Sequence, residues 1–401
     1  METNPQAAAP AMAPLKVDSE AVKRHVMRPD HVVGVISSRG LEEGTALREV
    51  PKFDKKPKAH LDVESFGNAL HAALKAIVAG YVMRLRRHGS TIWTLEWNWA
   101  KYPSDGGEGW NPDVRMHVAS CSKLITAMAM TRVLNAKKIS YDAKIISHLP
   151  GYWIKGPNID KMSFRDLMTH RSGFNTGKSD SDYEFMKTTV ALGVFDHGNY
   201  HYQNMNFGLC RILLSTIQGV VAVNANFGPG LLNDITWDVL TVTGYTQYVQ
   251  AHVFNPAGVA GASLDHPTPD ALAYTWPVLG NGWNSGDLTT MAGGAGWHMS
   301  VDDLLAVMGT FRRNGTIMST THAQTMLDDG FGIDLIQGTP VGTLYNKNGL
   351  WADGAGHTEQ SLAYFLPEDM ELVVLANSPI GFPGQFFRDV VTNLYTSHIV
   401  G

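Results

Sequence analysis

Apolar residues recur at helical spacing from Val63 to Ala79 and predict a helix that opens the folded body. Tyr81 to Leu85 and Ser90 to Trp99 instead alternate with a period of two around His88-Gly89, the pattern of two strands joined by a tight turn. Residues 116 to about 300 read as helices and loops punctuated by Gly and Pro. From Leu344 three strand-like runs follow: Leu344 to Trp351, Gln360 to Leu366 and Glu371 to Ala376, with Pro367-Glu368-Asp369 turning between the last two. Phe386 to His398 reads as a closing helix. Strands thus come from both ends of the chain and helices from its middle. The fold class expected is α/β of the α+β type, an antiparallel sheet flanked by helices with an inserted, mostly helical region. The expected division is an extension or arm over 1–60, a sheet subdomain over 61–115 and 301–401, and a helical subdomain over 116–300. Pro51 to Lys58 reads as a solvated linker, and the arm would cover the body or contact another copy.

Composition narrows the picture mainly by exclusion. The 401 residues carry 37 acidic and 32 basic side chains, a net charge of −5, so no basic excess points to nucleic acid or anionic lipid. The two cysteines, Cys121 and Cys210, cannot build a disulfide framework and read as buried free thiols. No apolar run approaches the ~20 residues of a membrane span. The first residues lack a cationic stretch before an unbroken apolar one, so a cytoplasmic location is expected, with the periplasm as the alternative. His197 and His201 stand four apart, but no third ligand is marked, and no metal site is expected.

The chemistry concentrates at Ser120-Cys121-Ser122-Lys123, where an extended segment runs into a helix-forming one. Residues three apart on a helix share a face, so Lys123 can bring its amine to the Ser120 hydroxyl. A serine is a weak nucleophile unless a base takes its proton, and a desolvated lysine can be that base. The helix N-terminus adds partial positive charge where an oxyanion would form. Ser-x-x-Lys alone is a weak signal, but two further motifs follow once each: Tyr202-Gln203-Asn204 and Lys347-Asn348-Gly349.

With these three motifs in order, the chain resembles the serine β-lactamase and penicillin-binding-protein superfamily. The likeness is nearest to the branch of class C β-lactamases, D-alanyl-D-alanine carboxypeptidases, D-amino-acid peptidases and family VIII esterases. The segments Met162 to Phe174, Ala292 to Leu304 and Leu372 to Ser378 carry the same resemblance, which covers roughly residues 65 to 401. It implies Ser120 as nucleophile, Lys123 as base, and Tyr202 as a partner that shares the base role and protonates the leaving group. It implies that Asn204 holds Lys123 and meets the substrate amide. Lys347, Asn348 and Gly349 would line the cleft on an edge strand, with Lys347 facing a substrate carboxylate or Tyr202. The amides of Ser120 and Leu350 would form the oxyanion hole. No metal or organic cofactor is needed. Two competitors stay open: Tyr200 for Tyr202, and His357 for Lys347, although Glu359 stands where the family's glycine belongs. Trp351, Asp353 and His357 are candidate specificity residues, and His170 reads as structural.

The expected activity is an acyl-serine hydrolase on amide bonds of small peptides, including D-residue or linearised cyclic peptides such as linearised microcystin. The alternatives are a carboxylesterase of the same fold, a β-lactamase or DD-carboxypeptidase, and a non-enzymatic binding protein. The partners expected are a small peptide or ester, no nucleic acid and no membrane, with self-association left open.

Overall fold

The computed structural model describes residues 44–45, 59–265, 271–381 and 386–401. Its centre is an antiparallel sheet with strands β1 (Gly44–Thr45), β2 (Gly80–Arg87), β3 (Ser90–Lys101), β4 (Leu335–Thr339), β5 (Gly342–Ala352), β6 (Thr358–Leu366) and β7 (Met370–Ala376). The spatial order is β1-β3-β2-β7-β6-β5-β4, and a short strand, Glu108–Gly109, pairs with the end of β3. Each expected run is a strand of this sheet. The fold is mixed α/β, an antiparallel sheet packed against helices, as expected. Among the described residues no helix is long and apolar enough to cross a membrane.

Successive side chains of β6 and β7 point to opposite faces, and each face is buried against a different layer. Ala363, Phe365, Val373 and Leu375 join the core of the helical region. Leu362, Tyr364, Leu372 and Val374 face the other way, toward α1 (Val63–Leu74) and the closing helix Phe387–Ser397, with Phe66, Leu70, Val391 and Tyr395. Burying one such Leu or Phe stabilises the fold by about 1.5–3 kcal/mol, so a one-residue register slip on β6 or β7 would be costly.

Three differences from the pattern have local causes. The first helix stops at Leu74, not Ala79, with Lys75 as its C-cap. Ile77 and Val78 stay buried in the same core, so apolar spacing outlasts the helix. Edge strand β4 escapes notice because Leu335-Ile336-Gln337-Gly338-Thr339 is only partly buried and carries no full alternation. The expected arm and the Pro51 to Lys58 linker lie outside the described residues. The exceptions are Gly44–Thr45, whose backbone pairs with Leu95 and Glu96 of β3, and residues 59–60, where His60 pairs with Val400.

One small pairing positions the site. Met116 and His117 pair with Met299 and His298. Val118 N–H donates to Trp297 O at 2.9 Å, and Trp297 N–H donates to Ser122 Oγ at 3.1 Å. The chain leading to Ser120 is therefore stitched to the segment Gly294-Ala295-Gly296-Trp297, some 175 residues away.

Candidate active site

Ser120 lies in a single 3-10 turn, Ala119–Cys121, that feeds directly into the helix α2 (Ser122–Lys137). Ala119 has φ +46°, a left-handed conformation that is strained for a residue with a Cβ. That bend turns strand into helix and sets Ser120 at the helix N-terminus.

Lys123 is fully buried. Its Nζ stands 2.9 Å from Ser120 Oγ, 2.6 Å from Asn204 Oδ1 and 2.6 Å from Gly294 O. The two carbonyl oxygens can only accept, so they take two of the amine hydrogens. The third tetrahedral position points at Ser120. In the neutral amine that position is the lone pair, which can accept a proton from Ser120 Oγ. Burial, reinforced by the Lys347 cation, holds the Lys123 pKa below the ordinary lysine value against the raising influence of Tyr202.

Tyr202 precedes Gln203, the N-cap of the helix α3 (Asn204–Ile217). Its ring lies 4.9 Å from Lys123 Nζ and 5.0 Å from Lys347 Nζ, and Lys347 Nζ donates to its hydroxyl at 3.4 Å. Burial would push this phenol up, but Lys123 and Lys347 outweigh it, with help from a hydrogen bond to Ser120, and the net pKa falls below the ordinary tyrosine value. The residue as a whole is 37% exposed, so part of it reaches solvent. The competing Tyr200 is 53% exposed, and its ring packs edge-on to His170 at 5.9 Å.

Lys347, Gly349 and Trp351 point from one face of β5, opposite Ala363, Ser361 and Glu359 of β6. Lys347 is 1% exposed. A Cβ on Gly349 would stand 2.4 Å from Ser361 Oγ, 2.5 Å from Val118 O and 2.9 Å from Ser120 N. The backbone of β5 is thus pressed against the Ser120 turn, and only glycine fits there. Gly349→Ala is expected to push the strand off the turn. Overpacking of this kind costs about 1–3 kcal/mol. Thermal unfolding should show that loss, and turnover should fall by more than the stability change explains.

The pleat also decides the remaining positions. Asp334 N–H donates to Asn346 O at 2.8 Å, and Asn348 N–H donates to Asp334 Oδ2 at 3.1 Å. Backbone groups two residues apart point the same way, so the Leu350 N–H faces the same outer edge. Asn348 and Leu350 turn their side chains to the face opposite Lys347, so Asn348 meets the cleft through its backbone, and Leu350 is 57% exposed. Trp351 packs edge-on to His117 at 5.4 Å. His357 sits in the turn between β5 and β6, where its Nδ1 is 2.5 Å from Asp353 Oδ2. It is Lys347, not His357, that stands beside Tyr202.

Cys121 Sγ donates to Lys347 O at 3.3 Å, and burial pushes its thiol up to about 12. Cys210 is buried too. Both are inert thiols at neutral pH. His197 and His201 turn to different carboxylates, Asp166 and Asp196. Among the described residues no group of three or more His, Cys, Asp or Glu could hold a metal ion.

Several residues of the site escape a motif search. Asp334 pairs with Lys347 at 2.7 Å, yet nothing in its spacing marks it. His170 lies under Tyr202, ring to ring at 4.3 Å, and its Nδ1 accepts from Gln203 N–H at 3.2 Å. Burial, then the two lysines, drives its pKa well below the ordinary histidine value, so it is a neutral plate beneath the phenol. Glu359, read as a mismatch to the family's glycine, is 2.9 Å from His117 Nδ1, and His117 Nε2 accepts from Gly296 N–H at 3.1 Å. Burial and Lys123 hold His117 near 3, hence neutral, so Nδ1–H donates to Glu359. This chain of bonds ties β6 to the segment whose Gly294 carbonyl anchors Lys123. Unusual acidic or histidine residues beside the motifs are the only sequence signal for it.

A beta-lactamase family model matches residues 69–223, a span holding both Ser120-Cys121-Ser122-Lys123 and Tyr202-Gln203-Asn204. Over that stretch the chain is similar to the beta-lactamase family. A putative penicillin-binding protein of Bacillus subtilis (strain 168), PbpX, is 22% identical over 160 residues, which is 38% of this chain and 34% of that protein. The match therefore spans about a third of that relative's length. FmtA from Staphylococcus aureus superposes with a TM-score of 0.63 at 13% identity, covering 86% of this chain and 92% of that one. The D-amino acid amidase from Ochrobactrum anthropi SV3, complexed with L-phenylalanine amide, gives 0.62 at 16% identity, covering 84% and 96%. At these identities the superpositions establish the shared fold. Members of the superfamily with this fold are serine hydrolases.

Proposed function

We propose that this protein is an acyl-serine hydrolase acting on amide bonds of small peptides, with D-residue-containing and linearised cyclic peptides as the substrate class. The observation that carries the reading is the anchoring of Lys123 by two carbonyl oxygens, which aims its remaining position at Ser120 Oγ. Ser120 Oγ attacks the substrate carbonyl carbon while its proton passes to Lys123. The tetrahedral oxyanion is held by the Ser120 and Leu350 amides. The C–N bond then breaks, and the amine leaves with a proton delivered through Tyr202, whose phenol is acidified by Lys123 and Lys347. Water attacks the acyl-enzyme by the same route in reverse and frees the acid. Asn204 keeps Lys123 in place through Oδ1. Its Nδ2 donates to Ser179 O at 3.3 Å and has a second hydrogen for the substrate acyl amide. The outer edge of β5 beyond β4 gives an extended peptide a strand to pair with. An amidase among the structural neighbours supports an amide over an ester.

The test is intact-protein mass spectrometry of wild type and Ser120→Ala after brief incubation with four kinds of probe. These are a fluorophosphonate, a penicillin, a p-nitrophenyl ester and short peptides of both residue configurations. A stoichiometric adduct in wild type alone, with peptides turned over fastest, is expected. Faster turnover of the ester would replace peptidase with carboxylesterase, and adducts in both proteins would exclude Ser120.

The same chemistry fixes the pH dependence. Lys123 and Tyr202 both titrate below their ordinary values, and the base form of the pair is the active one. Turnover should therefore rise with pH along a limb whose apparent pKa values belong to the pair and lie below about 10. A pH–rate profile still climbing through pH 10 would contradict this assignment.

A further inference from the structure

Lys347 carries a charge that the protein has already balanced. Its Nζ is 2.7 Å from Asp334 Oδ1, and the other oxygen of the same carboxylate accepts the Asn348 N–H at 3.1 Å. Asp334 therefore holds both the side chain and the backbone of the Lys347-Asn348-Gly349 motif, at the place where an incoming carboxylate would otherwise bind. Lys347 Nζ is also 3.4 Å from the Tyr202 hydroxyl, so this ion pair adjoins the group that meets the leaving amine. In an amino acid leaving group the carboxyl carbon lies only about 2.5 Å from the amine nitrogen, two bonds away. With that nitrogen hydrogen-bonded to Tyr202, a free α-carboxylate comes within reach of the Lys347–Asp334 pair, whose cation is already engaged. Like charges brought together in a partly desolvated cleft repel strongly. A carbonyl that continues into a further amide carries no charge and avoids the conflict.

We infer that Asp334 is a specificity-determining residue that makes the enzyme select bonds whose leaving side lacks a free carboxylate, so that it cuts internal peptide bonds and capped amides rather than removing a C-terminal residue. This deepens the hydrolase reading and rests on it. It also sets this chain apart from carboxypeptidase and β-lactamase chemistry, whose substrates bring a carboxylate to the cleft.

The experiment uses two libraries of acetylated dipeptides, randomised at the first position in both configurations and ending in alanine. One library is the free acid and the other the C-terminal methylamide. Wild-type enzyme is incubated with each, products are counted by mass spectrometry, and Ser120→Ala is the blank. The methylamides should be cleaved at least about tenfold faster, and Asp334→Asn should narrow that ratio, chiefly by improving the free acids. Equal rates, or faster free acids, in Ser120-dependent hydrolysis by wild type would overturn the role of Asp334 and leave the hydrolase reading standing. That comparison does not depend on the folding of Asp334→Asn. If Asp334→Asn folds and leaves the ratio unchanged, the selectivity has another source and the inference fails. Absence of Ser120-dependent cleavage in both libraries, together with no fluorophosphonate adduct, would overturn both readings.

Discussion

Ser120→Ala should lower kcat/KM by roughly ten-thousandfold or more, the scale seen when a nucleophile that works with its base as a unit is removed. Lys123 Nζ stands 2.9 Å from the Ser120 hydroxyl, and Ser120 lies at the start of α2, where the proposed mechanism develops the oxyanion. Removing it deletes the covalent route and leaves the pocket and its charges intact. The loss should fall in kcat and not in folding, because Ser120 is only partly buried and its hydroxyl is no part of the core. Stopped-flow or endpoint hydrolysis with any substrate from the panel, alongside thermal unfolding, checks both halves. Cys121→Ala is the natural control. Its thiol faces the Lys347 carbonyl, away from the cleft, so turnover should stay near wild type. Near-normal rates in Ser120→Ala would exclude the proposed mechanism.

Lys123→Met should cost about a hundred- to ten-thousandfold in kcat, the range for loss of a positioned base. Methionine keeps the length and apolar stem of the side chain, so the burial is preserved. What disappears is the amine that Asn204 and Gly294 hold against Ser120. A second effect follows from charge. Lys123 is the stronger of the two cations that hold Tyr202 down, so its removal raises the phenol, and any residual activity should have its acidic limb moved to higher pH. A pH–rate profile of the variant reads that shift independently of the drop in kcat. An unmoved limb would mean that Tyr202 and Lys123 do not titrate together.

The two lysines also show how one residue type is driven in opposite directions by its surroundings. Burial dominates at Lys123 and lowers it, whereas at Lys347 the adjacent Asp334 overcomes burial and raises it. One is prepared to give and take a proton, and the other to remain a fixed cation beside the phenol.

Much of this could be read from the chain before any coordinates. The five expected strands are recognisable because the first two alternate with a period of two, while the last three are strand-like runs, two of them apolar because both of their faces are buried. The pairing of Ser120 with Lys123 follows from one turn of helix, a local relation that needs no tertiary knowledge. Tyr202-Gln203-Asn204 and Lys347-Asn348-Gly349 could be named as motifs because their residue types are unusual together. Edge strand β4 could not, since half-exposed residues leave no period.

What the chain alone could not reveal is everything that depends on long-range closure. Lys123 shares its amine between Ser120, Asn204 and Gly294, which stand 3, 81 and 171 residues away, and no local pattern encodes the last of these because the acceptor is a backbone carbonyl. Asp334 is one acidic residue among 37 acidic side chains until β4 and β5 fold side by side and put it against Lys347. Glu359 looks like a defect in a motif until His117 is found beside it in the core. Residue type and short-range periodicity determined the elements and the chemistry on offer. Only tertiary packing decided which charges meet, because Coulomb interactions and desolvation depend on distance and burial, and neither is a property of a residue's position along the chain.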